Sequence, residues 1–111
     1  MSEERLIKKY ANRRLYDASQ SRHITLEDIR NLVVAGVRVK VIEDKTHEDI
    51  TRVILLQVIA DQEQFGRPIL STPLLETLIR SYGNSLQTFL SAYLEESVET
   101  FMDQHKEADS G

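Results

Sequence analysis

Residues 51–64 constrain this chain more than any other segment. Val53-Ile54-Leu55-Leu56 and Val58-Ile59-Ala60 put apolar side chains on nearly every face of a helix that Thr51 can cap. Such a helix must be buried on most sides, and a chain of 111 residues has little to bury it with. A partner subunit is the natural remedy, so the sequence predicts a homo-oligomer, a dimer or tetramer. The apolar runs are far shorter than the roughly 20 residues that span a bilayer, and a lipid bilayer is not an expected partner.

A second apolar helix is predicted over 73–104. Thr72 is placed to cap it, and Pro73 suits its first helical position, where a missing N–H costs nothing. Its broad stripe includes Leu74, Leu75, Leu78, Ile79, Tyr82, Tyr93 and Met102, and Gly83-Asn84 can kink it or split it in two. Leu86, Phe89, Leu90, Leu94, Val98 and Phe101 are the candidates for an exposed apolar surface. Two uses stay open for them, a seam between subunits and adsorption to an uncharged hydrophobic particle. The charged face of this helix carries Glu95, Glu96 and Glu99 rather than lysine and arginine, which argues against an anionic membrane. Residues 106–111 are polar and expected to fray.

The N-terminal half reads differently. Leu6, Ile7, Tyr10, Leu15 and Tyr16 suit two strands with a turn at Ala11-Asn12. A second turn is expected at Ser19-Gln20-Ser21 and a third short strand at His23-Ile24. Thr25 and Asp28 form a capping-box pattern that opens a helix over about 25–35, which Gly36 ends. Val37, Val39 and Val41 alternate with Arg38, Lys40 and Ile42 as a half-buried strand near 37–43, and Glu48-Asp49-Ile50 can pair back on it. The expected fold is α+β. An N-terminal β-hairpin in a small antiparallel sheet, with one short helix, precedes two helices that form an oligomeric helical core. The expected division is residues 1–64 and 65–111.

Charge separates the two halves. The net charge is −4, yet residues 1–52 hold 11 basic and 9 acidic side chains, while residues 53–111 hold 3 and 9. Between residues 5 and 22, Arg5, Lys8, Lys9, Arg13, Arg14 and Arg22 face a single acid, Asp17. This points to a polyanion-facing element on an acidic body. Lys8, Lys9, Arg13, Arg14 and Arg22 can neutralise phosphates. Tyr10, Asn12 and Tyr16 can position the backbone or read bases, and a two-stranded ribbon fits a major groove. A solvated basic hairpin whose tyrosines pack on the following helix accounts for the composition equally well. Strand alternation sets neighbouring cations on opposite faces, so the face that meets a ligand stays open.

No catalytic pattern emerges. Cysteine is absent, which removes disulfides, thiolate metal sites and thiol nucleophiles and suits a reducing cytoplasm. His23, His47 and His105 have no ligand spacing, and the four glycines form no phosphate-cradling loop. No metal or cofactor is expected. Met1-Ser2-Glu3-Glu4-Arg5 has no apolar core behind it, so no secretory signal is expected either.

Ile7-Lys8-Lys9-Tyr10-Ala11-Asn12-Arg13-Arg14-Leu15-Tyr16-Asp17, then Arg22-His23-Ile24-Thr25-Leu26-Glu27-Asp28-Ile29 and Lys45-Thr46-His47-Glu48-Asp49-Ile50-Thr51-Arg52, resemble the DNA-binding domain of bacterial polyhydroxyalkanoate synthesis repressors. Leu74-Leu75-Glu76-Thr77-Leu78-Ile79-Arg80-Ser81-Tyr82-Gly83-Asn84-Ser85-Leu86 and Tyr93-Leu94-Glu95-Glu96-Ser97 resemble the accumulation-regulator segment that follows in that family. Ala11 stands where the family usually has proline, and many members run on with a further C-terminal region. The resemblance implies a cytoplasmic repressor of double-stranded promoter DNA that leaves its operator on meeting the polyhydroxyalkanoate granule surface. A granule-surface structural protein without specific DNA binding is the alternative. An enzyme of polymer turnover would need a nucleophile–base constellation that the sequence lacks.

Overall fold

A period-two apolar pattern in short segments, interrupted by one capped helix, gives a small sheet with helices on one side. The computed structural model describes residues 4–105. The tail 106–111 and residues 1–3 lie outside the described residues. The chain divides into two units, residues 1–69 and 70–111.

The first unit contains β1 (Glu4–Lys9), β2 (Leu15–Asp17), β3 (Arg22–Ile24), α1 (Leu26–Val34), β4 (Arg38–Glu43) and α2 (Thr51–Phe65). The sheet order is β3-β2-β1-β4, with β1–β2 and β2–β3 antiparallel. The expected all-antiparallel sheet is corrected to a mixed one, because β4 lies parallel to β1 and pairs Ile7 with Val41 and Lys8 with Ile42. The cause is the crossover. β3 and β4 occupy opposite edges and run the same way, so the chain must cross one face between them, and α1 makes that crossing.

That crossing creates an inner face. Ile7, Leu15, Ile24, Val39 and Val41 point into it and pack with Ile29 of α1 and Ile54 of α2. Ile7, Val41 and Ile29 are wholly inaccessible to solvent. Burying each such side chain contributes about 1.5–3 kcal/mol. The capping box forms as expected: Thr25 N–H donates to Asp28 Oδ2 at 2.9 Å, and Asp28 N–H donates to Thr25 Oγ1 at 3.2 Å. Gly36, at φ +86°, ends the helix in the left-handed region.

Thr51 does not cap α2. Its Oγ1 accepts the Val41 N–H at 2.9 Å and donates to Asp49 Oδ1 at 2.6 Å. The hydroxyl is taken by the open edge of β4, whose backbone groups need partners. The return strand shrinks to one bridge between Ile42 and Asp49, with Ile50 N–H donating to the Val41 carbonyl at 2.8 Å. The all-round burial expected of α2 is met only in part. Ile54 is buried, Leu55 and Val58 partly so, while Val53, Leu56 and Ile59 stay exposed.

Two carboxyls titrate below their ordinary 3.8. Asp28 is lowered chiefly by the Thr25 backbone N–H, with help from the Thr25 hydroxyl and the charge of Arg22. Asp49 is lowered by the Thr51 hydroxyl and then by the Thr51 N–H, with Lys40 adding to it. A depressed folded-state pKa adds stability above the unfolded value, and that stability is lost as pH falls through the folded value. Thermal stability should therefore drop as pH goes below 3.8. Asp28→Asn should show a shallower drop, because it has already lost its share at neutral pH. Melting curves from pH 7 to 2.5 on both chains check this, and parallel curves would refute it.

The second unit holds α3 (Thr72–Ser81) and α4 (Leu86–Gln104). The predicted single helix is thus two. Gly83, at φ +82°, breaks it, and Asn84 holds the turn by donating to the Arg80 carbonyl and accepting the Leu86 N–H. The N-cap of α3 is Ser71 rather than Thr72, its hydroxyl accepting the Leu74 N–H at 3.2 Å. Among this unit's described residues only Ser81 is buried. No helix among the described residues is long and apolar enough to cross a membrane.

Candidate nucleic-acid interface

The basic run folds into a tight hairpin. Tyr10 N–H donates to the Arg14 carbonyl at 3.0 Å, and Arg13 N–H donates to the Tyr10 carbonyl at 2.9 Å. Asn12 Oδ1 accepts the Arg14 N–H at 3.1 Å, so this amide serves the turn itself. Three-residue hairpin loops of this kind need a left-handed residue before the second strand, a position that favours glycine. Here it is Arg13, at φ +67°. A non-glycine residue there costs about 1–2 kcal/mol. Arg13→Gly should therefore stabilise the unit by about 1 kcal/mol while Arg13→Ala keeps the penalty. Chemical denaturation of both variants checks this; equal stability would show that the turn is not strained.

The register sorts the remaining cations. On the inner side, Arg5 is tied to Asp17 by an ion pair at 2.9 Å. Lys9 lies on the same side in line with Glu43, and with Arg13, Leu26, Ile54 and Gln57 it lines a shallow depression. Arg22 is close enough to Asp28 to help hold that carboxyl down. The opposite, outer face presents Lys8 and Tyr16 side by side, with His23 next to Tyr16 on β3. Tyr10, Tyr16 and His23 form an edge-to-face ladder, with ring centroids 6.1 Å and then 5.4 Å apart. Arg14 pairs with Tyr10 where the hairpin closes, and with Arg13, His23 and the inner-face Leu15, Ile24 and Leu26 it lines a second shallow depression.

The tyrosines therefore stack on each other and on His23, not on the following helix. Lys8, Tyr10, Arg14 and Tyr16 come together. Lys9 and Arg22 are turned to the other side, while Asn12 and Arg13 form the tip. Three residues of the outer face carry no functional signal in the sequence. His23 lacked ligand spacing, and Arg38 and Lys40 sat in a strand whose place beside β1 leaves no local mark. The alternation of that strand did place Arg38 and Lys40 opposite the buried valines.

The second unit offers a different surface. Leu86, Phe89, Leu94, Val98 and Phe101 are exposed and Leu90 is half-buried, all on α4. Phe101 stacks on His105 with centroids 4.2 Å apart. No residue of α4 is buried, and within this unit α3 leaves most of its apolar stripe exposed.

Comparison with known proteins gives two adjoining matches. Residues 6–66 match the family model described as the PHB/PHA accumulation regulator DNA-binding domain, and residues 70–107 match the PHB accumulation regulatory domain. An uncharacterized protein of Allochromatium vinosum is 47% identical over 107 residues, covering 96% of this chain and 70% of the relative. A Thiocystis violacea protein, described as an uncharacterized protein in the phbA 5′ region, is 46% identical over 107 residues, covering 96% of this chain and 78% of its own. No solved structure matches the chain.

Proposed function

The chain belongs to the PHB/PHA accumulation regulators and carries their DNA-binding domain, and from that premise we propose that it represses accumulation genes at promoter DNA and leaves the DNA when it binds the polymer granule. Its partners in this reading are double-stranded DNA, the polyhydroxyalkanoate surface and a second copy of itself. The observation that carries the reading is the division of surfaces within one chain. The first unit exposes cations and stacked aromatics around a hairpin, and the second exposes an acidic helix with a largely exposed apolar stripe. Polyanion and neutral polyester are recognised by opposite chemistries, charge neutralisation for one and apolar burial for the other.

In this reading Lys8 and Arg14 supply phosphate contacts with the hairpin-tip Arg13, and Tyr10 and Tyr16 position the backbone. Asn12 acts through the turn it holds. Leu86 and Phe89 belong to the seam between subunits, and Leu90, Leu94, Val98 and Phe101 meet the polymer. A dimer would present two hairpins to two half-sites. The test is a gel shift of the purified protein on the DNA upstream of its own gene, with and without amorphous polymer particles. A retarded band that particles abolish supports the reading. A band unaffected by particles removes the release step, and the absence of a band removes the repressor.

A further inference from the structure

We propose that DNA lies across the outer face of the sheet, along a diagonal stripe made by Arg38, Lys40, Lys8 and Arg14, with His23 beside it. The assignment deepens the repressor reading and rests on DNA being the partner.

The stripe follows from register alone. Arg38 and Lys40 are alternate residues of β4 and project opposite to the buried Val39 and Val41. Lys8 stands on the neighbouring strand in line with Ile42, one pleat further on. Arg14 closes the hairpin one strand beyond that, opposite Tyr10. At about 3.3 Å per residue along a strand and about 4.8 Å between strands, the line runs about 22 Å. At about 3.4 Å of axial rise per base pair, that length matches about six base-pair steps of a duplex. The Tyr10–Tyr16–His23 ladder borders it at the hairpin end. Its phenols and imidazole are donors of the kind that fix a sugar-phosphate backbone without reading sequence.

The inner side cannot serve. Helices α1 and α2 pack on it through Ile29 and Ile54. Of its cations, Arg5 is ion-paired with Asp17, Lys9 stands in register with Glu43, and Arg22 is close enough to act on Asp28. The first turn of α1 adds Glu27, which repels phosphate. The outer face has acids at its margin, Glu4 in line with Arg38 and Asp49 near Lys40. Neither α1 nor α2 covers it, however, and Arg14, His23, Arg38 and Lys40 are exposed, while Lys8 is half-buried beside the buried Ile42.

The test compares two double variants of the full chain, Arg38→Ala with Lys40→Ala and Lys9→Ala with Arg22→Ala. Binding is followed by fluorescence anisotropy on the upstream duplex and on a random duplex, across a salt series. The outer pair should flatten the slope of log K against log salt by about 1.8 per protomer, alike on both duplexes. The inner pair should leave it unchanged. A flattening by the inner pair, or by both pairs equally, overturns the assignment while leaving DNA binding intact. An unaltered protein that binds neither duplex overturns the repressor reading and this face with it. A second readout does not depend on charge. The chain has no cysteine, so His23→Cys and Gln57→Cys each carry a single photo-crosslinker. Crosslinks to DNA from position 23 and none from 57 support the outer face, and the reverse overturns it.

Discussion

Phe89→Asp should leave the chain monomeric at micromolar concentration, where the unaltered protein should scatter light as a dimer or larger. The physical reason is the state of α4. Phe89 is 71% exposed and Leu86 60%, in a helix with no buried residue and a partner helix whose Ile79 is 70% exposed. Exposed apolar area of this extent on a small unit marks an association surface. An aspartate buried unpaired in such a seam costs about 3–5 kcal/mol, and a symmetric interface takes that cost twice. The dissociation constant should rise by a factor of roughly ten thousand or more. Glu99→Lys, on the acidic face, should leave assembly unchanged. Multi-angle light scattering across a dilution series decides it, and a monomeric unaltered protein would leave the stripe to the polymer alone.

What could be read from the sequence was local. The Thr25–Asp28 box, the Gly36 stop and the turn around Asn12 each depend on residues within four positions, and each forms where expected. What could not be read depends on pairings distant in the chain. A strand beside β1 has the same period-two pattern whether it runs parallel or antiparallel, so the mixed sheet was hidden. Thr51 looks like a cap until the open edge of β4 competes for its hydroxyl. The apolar run in α2 signals that it needs cover, yet it does not say whether the cover comes from this chain or another.

The candidate site divides the same way. The charge of the hairpin was visible, its faces were not. Lys8 and Lys9 are neighbours in sequence that part to opposite sides, while Lys8 and Lys40 are 32 positions apart and share one. Asp17 was visible only as the lone acid among cations, and its burial could not be inferred from that.

Asp17→Ala should destabilise the first unit by about 3 kcal/mol and weaken DNA binding without removing any cation. The carboxylate is 2% exposed and serves three partners. Its Oδ2 accepts from Arg5 at 2.9 Å, and its Oδ1 accepts the N–H groups of Ser19 at 2.9 Å and Gln20 at 3.2 Å. Alanine strands all three donors. Arg5 keeps 24% of its side-chain exposure and recovers some hydration, which holds the loss near the lower end for a broken buried pair. The loop bonds fix the turn that carries β3, and with it the place of His23 beside Tyr16. Asp17→Asn separates the parts. It keeps an acceptor for the loop but no charge for Arg5, so it should lose less stability than alanine and retain more DNA affinity. Arg5→Leu completes the comparison, because it leaves a buried carboxylate without its cation while the loop bonds remain. A double-mutant cycle over Arg5 and Asp17, read by urea denaturation, should give a coupling above about 1 kcal/mol. A coupling near zero would make Asp17 a loop clamp alone, with Arg5 contributing nothing through it.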